Sequence, residues 1–91
     1  KASRTLPVAY LYMGNVFFNK KEFSKAEEHY REAIDRTGDP RAYNNLAWLY
    51  FTTNRNLDEA EKLAGKAVEL APDKEEFKDT LQKIKEKTMT K

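Results

Sequence analysis

Ninety-one residues, 40% hydrophobic and 35% charged, suit one small domain with a modest core. The chain has no cysteine, which excludes a disulfide scaffold and thiolate chemistry, and its net charge of +2 supplies no broad basic face for a nucleic acid. No apolar stretch is long enough to span a membrane, because Asn15 and Asn19 interrupt the best one, and no signal peptide is visible; a soluble, cytoplasmic protein is expected.

Helical periodicity predicts five helices and no strand. The first runs from about Pro7 to Asn19, with Tyr10, Met13, Gly14 and Phe17 spaced as one apolar face. The second is expected to open at Ser24 in a capping box with Glu27, to carry Phe23, Ala26, Tyr30, Ala33 and Ile34, and to close at Gly38 in a left-handed conformation. The third opens with Asp39 as N-cap and Pro40 at the first helical position, and its stripe is Tyr43, Leu46, Ala47 and Tyr50. The fourth is expected to be capped by Asp58 with Glu61, carries Leu57, Ala60, Leu63, Ala64, Ala67 and Leu70, and ends at Pro72. The fifth is expected to open at Asp73 with Glu76; only Phe77, Leu81 and Ile84 are apolar at helical spacing, a narrow stripe suited to closing an array, and Thr88 to Lys91 should fray. Acid-first pairs at i, i+4 (Glu27–Arg31, Glu32–Arg36, Asp58–Lys62, Asp79–Lys83) read as solvated faces.

The pattern repeats. Pro7, Ala9, Tyr10, Gly14, Phe17 and Phe18 return 33 residues on as Pro40, Ala42, Tyr43, Ala47, Tyr50 and Phe51. Phe23, Ser24, Ala26, Glu27, Ala33 and Ile34 return 34 residues on as Leu57, Asp58, Ala60, Glu61, Ala67 and Val68, so the loop Thr52 to Asn56 holds one extra residue. A period near 34 built from two helices signals hairpins that stack because none buries its apolar face alone. Gly14 lies mid-helix, where glycine costs about 1 kcal/mol against alanine, a cost explained by a second helix pressing on the backbone there. A start at Lys1 rather than Met suggests an excised or processed piece with more repeats upstream.

These residues resemble the tetratricopeptide repeat family. Tyr10, Met13, Gly14, Phe17, Ala26, Tyr30 and Ala33 follow its alternation of aromatic, large apolar and small residues, as do Tyr43, Leu46, Ala47, Tyr50, Ala60, Ala67 and Pro72. Ala64 departs from it, being small where the family has a ring, and both joins are lengthened. The resemblance implies an all-α fold of antiparallel hairpins stacked as a right-handed superhelix. One domain over 1–91 is expected, with repeats at about 7–39 and 40–72 and a capping helix at about 73–88. It implies a non-catalytic role: holding an extended peptide, a partner's helix or another copy of the array, the first helix of each pair lining the concave side.

By that resemblance, Val8, Leu11, Asn15 and Phe18 of the first helix and Arg41, Asn44, Asn45, Trp48 and Phe51 of the third face the groove. Large rings and asparagine amides there suit the apolar and backbone groups of a peptide. The alternative stands beside it: such rings are core or stacking residues, with Trp48 under the fifth helix or the first helix against another repeat. A family subclass grips a C-terminal carboxylate with two lysines, two asparagines and an arginine. Asn15 and Asn45 match the asparagines, but Leu11, Glu76 and Thr80 stand where the cations would be, so that clamp is not expected.

No catalytic chemistry is legible. Phosphate-binding glycine loops, His-Glu-x-x-His and a nucleophile elbow do not occur, and Ser3 and Ser24 have no neighbouring base. His29, the single histidine, lies among Glu27, Glu28 and Glu32 and reads as a solvated side chain rather than a metal ligand. Lys20, Lys21 and Lys25, and Lys83, Lys85 and Lys87, form small basic clusters, but the acidic middle of the chain opposes RNA binding. No enzyme activity, cofactor, metal or nucleic acid is expected; a protein partner or self-association is.

Overall fold

A computed structural model describes residues 5–90, so Ser3 and Lys91 lie outside the described residues. Five helices follow one another: α1 (Ala9–Asn19), α2 (Phe23–Thr37), α3 (Pro40–Thr53), α4 (Leu57–Leu70) and α5 (Glu75–Met89). α5 runs through Met89, and the Thr88 and Thr90 hydroxyls turn back onto the Lys85 and Lys87 carbonyls.

Helix starts are set by packing more than by side-chain caps. Asp39 does cap α3, accepting from the Arg41 amide at 2.9 Å, with Pro40 in the first turn. The three expected capping boxes are not formed. α2 starts one residue before Ser24, at Phe23, whose ring packs edge-on at 5.6 Å against Phe18 and draws the helix start back to Glu22. α4 likewise starts at Leu57, ahead of Asp58, after Asn54 and Asn56 take left-handed conformations (φ 57° and 46°) that asparagine tolerates. α5 is preceded by Lys74, so Asp73 remains in the turn. Gly38 adopts φ +65° and closes α2, its amide donating to the Ile34 carbonyl.

The helices pack as hairpins, α1 with α2 and α3 with α4, and α5 closes over α4. α3 also touches α1 and α5, so these three form an inner layer against α2 and α4. The shortest Cα extent is 17 Å, which fits two layers with axes about 8–10 Å apart and backbone radii of about 2.3 Å. The result is an all-α helical repeat array.

Small residues let the layers approach. Ala26, Ala33, Ala42, Ala47, Ala60, Ala64 and Ala67 are all fully buried. Tyr30, Leu46, Leu49, Tyr50, Phe77 and Ile84 supply the bulk between them. At Gly14, a Cβ would fall 2.5 Å from Cδ1 and Cε1 of the Tyr30 ring, so only glycine admits that ring. The second repeat solves the same crossing with Ala47 against a chain that carries Ala64 in place of Tyr30. Tyr10, Phe17 and Tyr43 are half-buried, and Pro72 lies exposed in the turn after α4.

The buried face of α1 is rotated from the expected stripe. Met13, predicted as core, is exposed, whereas Leu11 is 2% exposed. At about 100° per residue, Leu11 lies about 60° from Gly14 on the side facing α3, and Met13 about 100° away on the other. Contact with α3 as well as α2 decides which side is covered.

One join is polar. Tyr50 Oη donates to Glu27 Oε2 at 2.5 Å and accepts from Arg31 Nη2 at 2.5 Å, while Arg55 Nη2 reaches Glu27 Oε1 at 3.2 Å and Arg31 pairs with Glu59 at 3.0 Å. Glu27–Arg31, expected as a solvated pair, is thus one edge of a network tying α2 to α3 and α4. Glu32–Arg36 and Asp79–Lys83 form as expected; Asp58–Lys62 does not pair among the described residues.

The Asp39 cap carries a prediction. Hydrogen bonds from Arg41 hold its carboxyl below the usual range against partial burial. Stability from this group is present above its unfolded pKa and lost as pH falls through the lower folded value. Asp39→Ala is expected to cost ~0.5–2 kcal/mol near neutrality and less in acid, read from urea melts at both pH values. An equal loss at both would contradict the ionic share of the cap.

Candidate functional site

The inner layer brings α1, α3 and α5 side by side, and the clefts between them form the candidate site. Asn15 and Phe18 are three residues apart on α1, and Asn45 and Trp48 three apart on α3, so each pair shares a helix face. Together with Tyr30 from α2 they line a cleft of about 120 Å³. Asn45 and Trp48 also line a second cleft of about 260 Å³, whose other walls are Asn44 and, from α5, Glu76, Asp79 and Thr80. Trp48 thus stands between the two, half-buried, with its ring centroid 5.1 Å from that of Phe51.

A hydrogen-bond chain fixes the smaller cleft. Tyr30 Oη donates to Asn15 Oδ1 at 2.6 Å, and Asn45 Nδ2 donates to the same oxygen at 3.0 Å. Burial pushes the Tyr30 phenol up to about 12, so it remains a donor through the neutral range. This use of Asn15 Oδ1 and one Asn45 N–H turns the Asn15 amide NH₂ and the Asn45 carbonyl into the groups left for a ligand: donors and an acceptor, the same complement a peptide group needs.

The other groove candidates differ in exposure and partners. Leu11 is in the core and offers almost no surface. Asn44 is 4% exposed, and its Oδ1 accepts no hydrogen bond. Arg41 closes onto Asp39, Nη2 to Oδ2 at 2.6 Å, at the start of α3. Val8 precedes α1 and is half-buried. Phe51 is half-buried and covered by Lys87, whose Nζ lies 4.7 Å from the ring centroid and donates to the Phe51 carbonyl at 3.2 Å. That contact places a cation at the C-terminal end of α3, where the helix dipole favours one. His29 is half-buried, its ring 5.0 Å from Phe17 and 6.2 Å from Tyr10, with Nδ1 donating to the Lys25 carbonyl. Among the described residues no group of three His, Asp or Glu side chains is arranged to hold a metal, and no helix is long and apolar enough to cross a membrane.

Sequence reasoning missed the role of Tyr30. Its ring reads as core by spacing, yet its hydroxyl orients Asn15 at the cleft. The available signal was the phenol itself, since a buried tyrosine hydroxyl needs a partner and Asn15 is the amide on the neighbouring helix.

Residues 7–36 and 41–71 each match a family model described as Tetratricopeptide repeat. Over 60 residues the chain is 45% identical to Hsp70-Hsp90 organizing protein 3 of Arabidopsis thaliana, a match that takes in 65% of this chain and 11% of that protein. Two matched units in tandem, each folded as a helix hairpin and stacked on the next, make this chain a member of the tetratricopeptide repeat family.

Proposed function

We propose that the chain is a non-catalytic protein-interaction module that holds an extended peptide or helix of a partner on the concave side formed by α1, α3 and α5. The repeats and the likeness to a chaperone-organizing protein support the interaction role. One observation carries the groove reading: the Asn15–Asn45 pair, held by Tyr30 beside the Trp48 ring, offers donors and an acceptor next to an apolar wall. That is what a peptide backbone with a large apolar side chain requires. The ligand is not a C-terminal carboxylate gripped by cations, because Leu11 is buried and Glu76 and Thr80 line the second cleft where such cations would stand.

Trp48 is the single tryptophan, so its fluorescence reports the site directly. Peptides selected from a displayed library are expected to shift Trp48 emission, and Trp48→Ala should weaken them about tenfold or more. Selection that yields no peptide sensitive to Trp48→Ala would overturn the reading.

A second reading rests on a separate surface. Met13 and Val16 of α1, with Leu6 before it and Tyr12 beside them, are exposed apolar residues. A second copy or another repeat stacking there would cover them. Light scattering should then show a concentration-dependent dimer that Val16→Lys abolishes; a monomer at all concentrations removes self-association.

A further inference from the structure

The cleft between α3 and α5 has chemistry that the groove reading does not use. Its lining carries two carboxylates, Glu76 and Asp79, and Asn44, whose buried Oδ1 has no hydrogen-bond partner among the described residues. The Thr80 hydroxyl, also in the wall, spends its proton on the Glu76 carbonyl at 3.1 Å and keeps only acceptor capacity toward the cleft. Asp79 is paired with Lys83 at 2.8 Å, but Glu76 makes no ion pair among the described residues. Trp48 also lines the cleft.

Each feature points to the same kind of occupant. An orphaned buried acceptor is satisfied by an arriving N–H donor. An unpaired carboxylate beside it favours a cation, and an indole face attracts one through its quadrupole. At about 260 Å³ the cleft has room for the end of a long side chain. The molecule's net charge of +2 works against diffuse attraction of a basic ligand, so binding of one would have to come from this local arrangement.

We propose that this cleft takes a lysine or arginine side chain of the partner segment, making the module selective for basic peptides. The proposal rests on the groove reading and adds the ligand's chemistry to it. In the bound state the cationic head lies between Glu76 and the Trp48 ring, and the Asn44 amide turns outward so that its Oδ1, closed off in the free chain, accepts from it, while the backbone of the segment runs on toward Asn15 and Asn45.

Three capped peptides of one repeated Gly-Xaa-Ala sequence, with Xaa lysine, glutamate or serine, separate the outcomes. The lysine peptide is expected to shift Trp48 emission with an affinity about tenfold above the serine peptide, and the glutamate peptide to bind weakest. Glu76→Gln should weaken the lysine peptide about three- to tenfold, and Glu76→Lys should make the glutamate peptide the preferred one. Glu76 is exposed, so both variants should melt as the parent does. A serine peptide that binds as well as the lysine peptide, or a lysine preference that survives Glu76→Lys, overturns the proposal and leaves the groove reading standing. Silence from all three peptides also overturns it, and the library selection then decides the groove separately.

Discussion

Gly14→Leu is expected to destabilise the fold by ~1–3 kcal/mol, and Gly14→Ala to destabilise it as well, although alanine alone would favour the helix by about 1 kcal/mol. The reason is the Tyr30 ring, two of whose carbons would lie 2.5 Å from any Cβ at position 14. The ring cannot simply swing away. It is 2% exposed, and its hydroxyl is tied to Asn15 Oδ1 at 2.6 Å. Displacing it therefore strains the packing of α1 on α2 and disturbs the Asn15–Asn45 pair in one step. For a domain of this size, each kcal/mol lowers the melting temperature by about 4–8 °C. A double-mutant cycle isolates the cause: in a Tyr30→Ala background the Gly14→Leu penalty should shrink by ~1 kcal/mol or more. Additive losses, or an unchanged melt for Gly14→Leu, would contradict this account of the hairpin.

The second large effect is expected at Tyr50. Tyr50→Phe keeps a ring that is fully buried and removes one hydroxyl, yet it should cost ~1.5–3 kcal/mol near neutrality. That hydroxyl bridges Glu27 and Arg31, both charged, and the bridge fastens the first hairpin to the second. Partial burial pushes the Glu27 carboxyl up, but hydrogen bonds from Tyr50 and Arg55 and the charges of Arg55 and Arg31 outweigh it, and the net shift is below the usual 4.5. The sign of the pH dependence follows. A carboxyl with a depressed folded pKa contributes stability above its unfolded value, and that contribution disappears as pH falls through the folded one. The gap between the parent and Tyr50→Phe should therefore be widest at neutral pH and narrow in acid. Chemical denaturation at pH 7 and pH 3 measures it, and a gap that widens in acid would refute the bridge.

The division between what the chain spells out and what only the fold reveals follows the range of the interactions. Gly14, Ala47 and the recurring rings are legible because stacking demands small and large residues at a fixed period, and Gly38, Asp39 and Pro40 because each acts within a few residues of itself. The capping boxes were equally local signals and failed, since Phe23 and Leu57 are drawn into the packing and move the helix starts ahead of Ser24 and Asp58. Met13 and Leu11 exchange places because a helix touching two neighbours buries a face that lies between them. Glu27 has a good partner four residues away in Arg31, which conceals a stronger one 23 residues away in Tyr50. At the cleft, Asn15, Asn45 and Trp48 stand out by type, but their hydrogen bonding depends on Tyr30 from another helix, and the acidic wall depends on α5 lying beside α3.

The central claim is that a partner docks on the inner layer, against Asn15, Asn45 and Trp48. Amide and indole NMR shifts of the labelled chain, followed during titration with a library-selected peptide, test it most directly. The account predicts that the side-chain amides of Asn15 and Asn45 and the indole N–H of Trp48 move together and saturate together, while the outer face of α2 and α4 stays still. Shifts confined to α2 and α4, or to the exposed edge of α1 around Tyr12 and Val16, would contradict it.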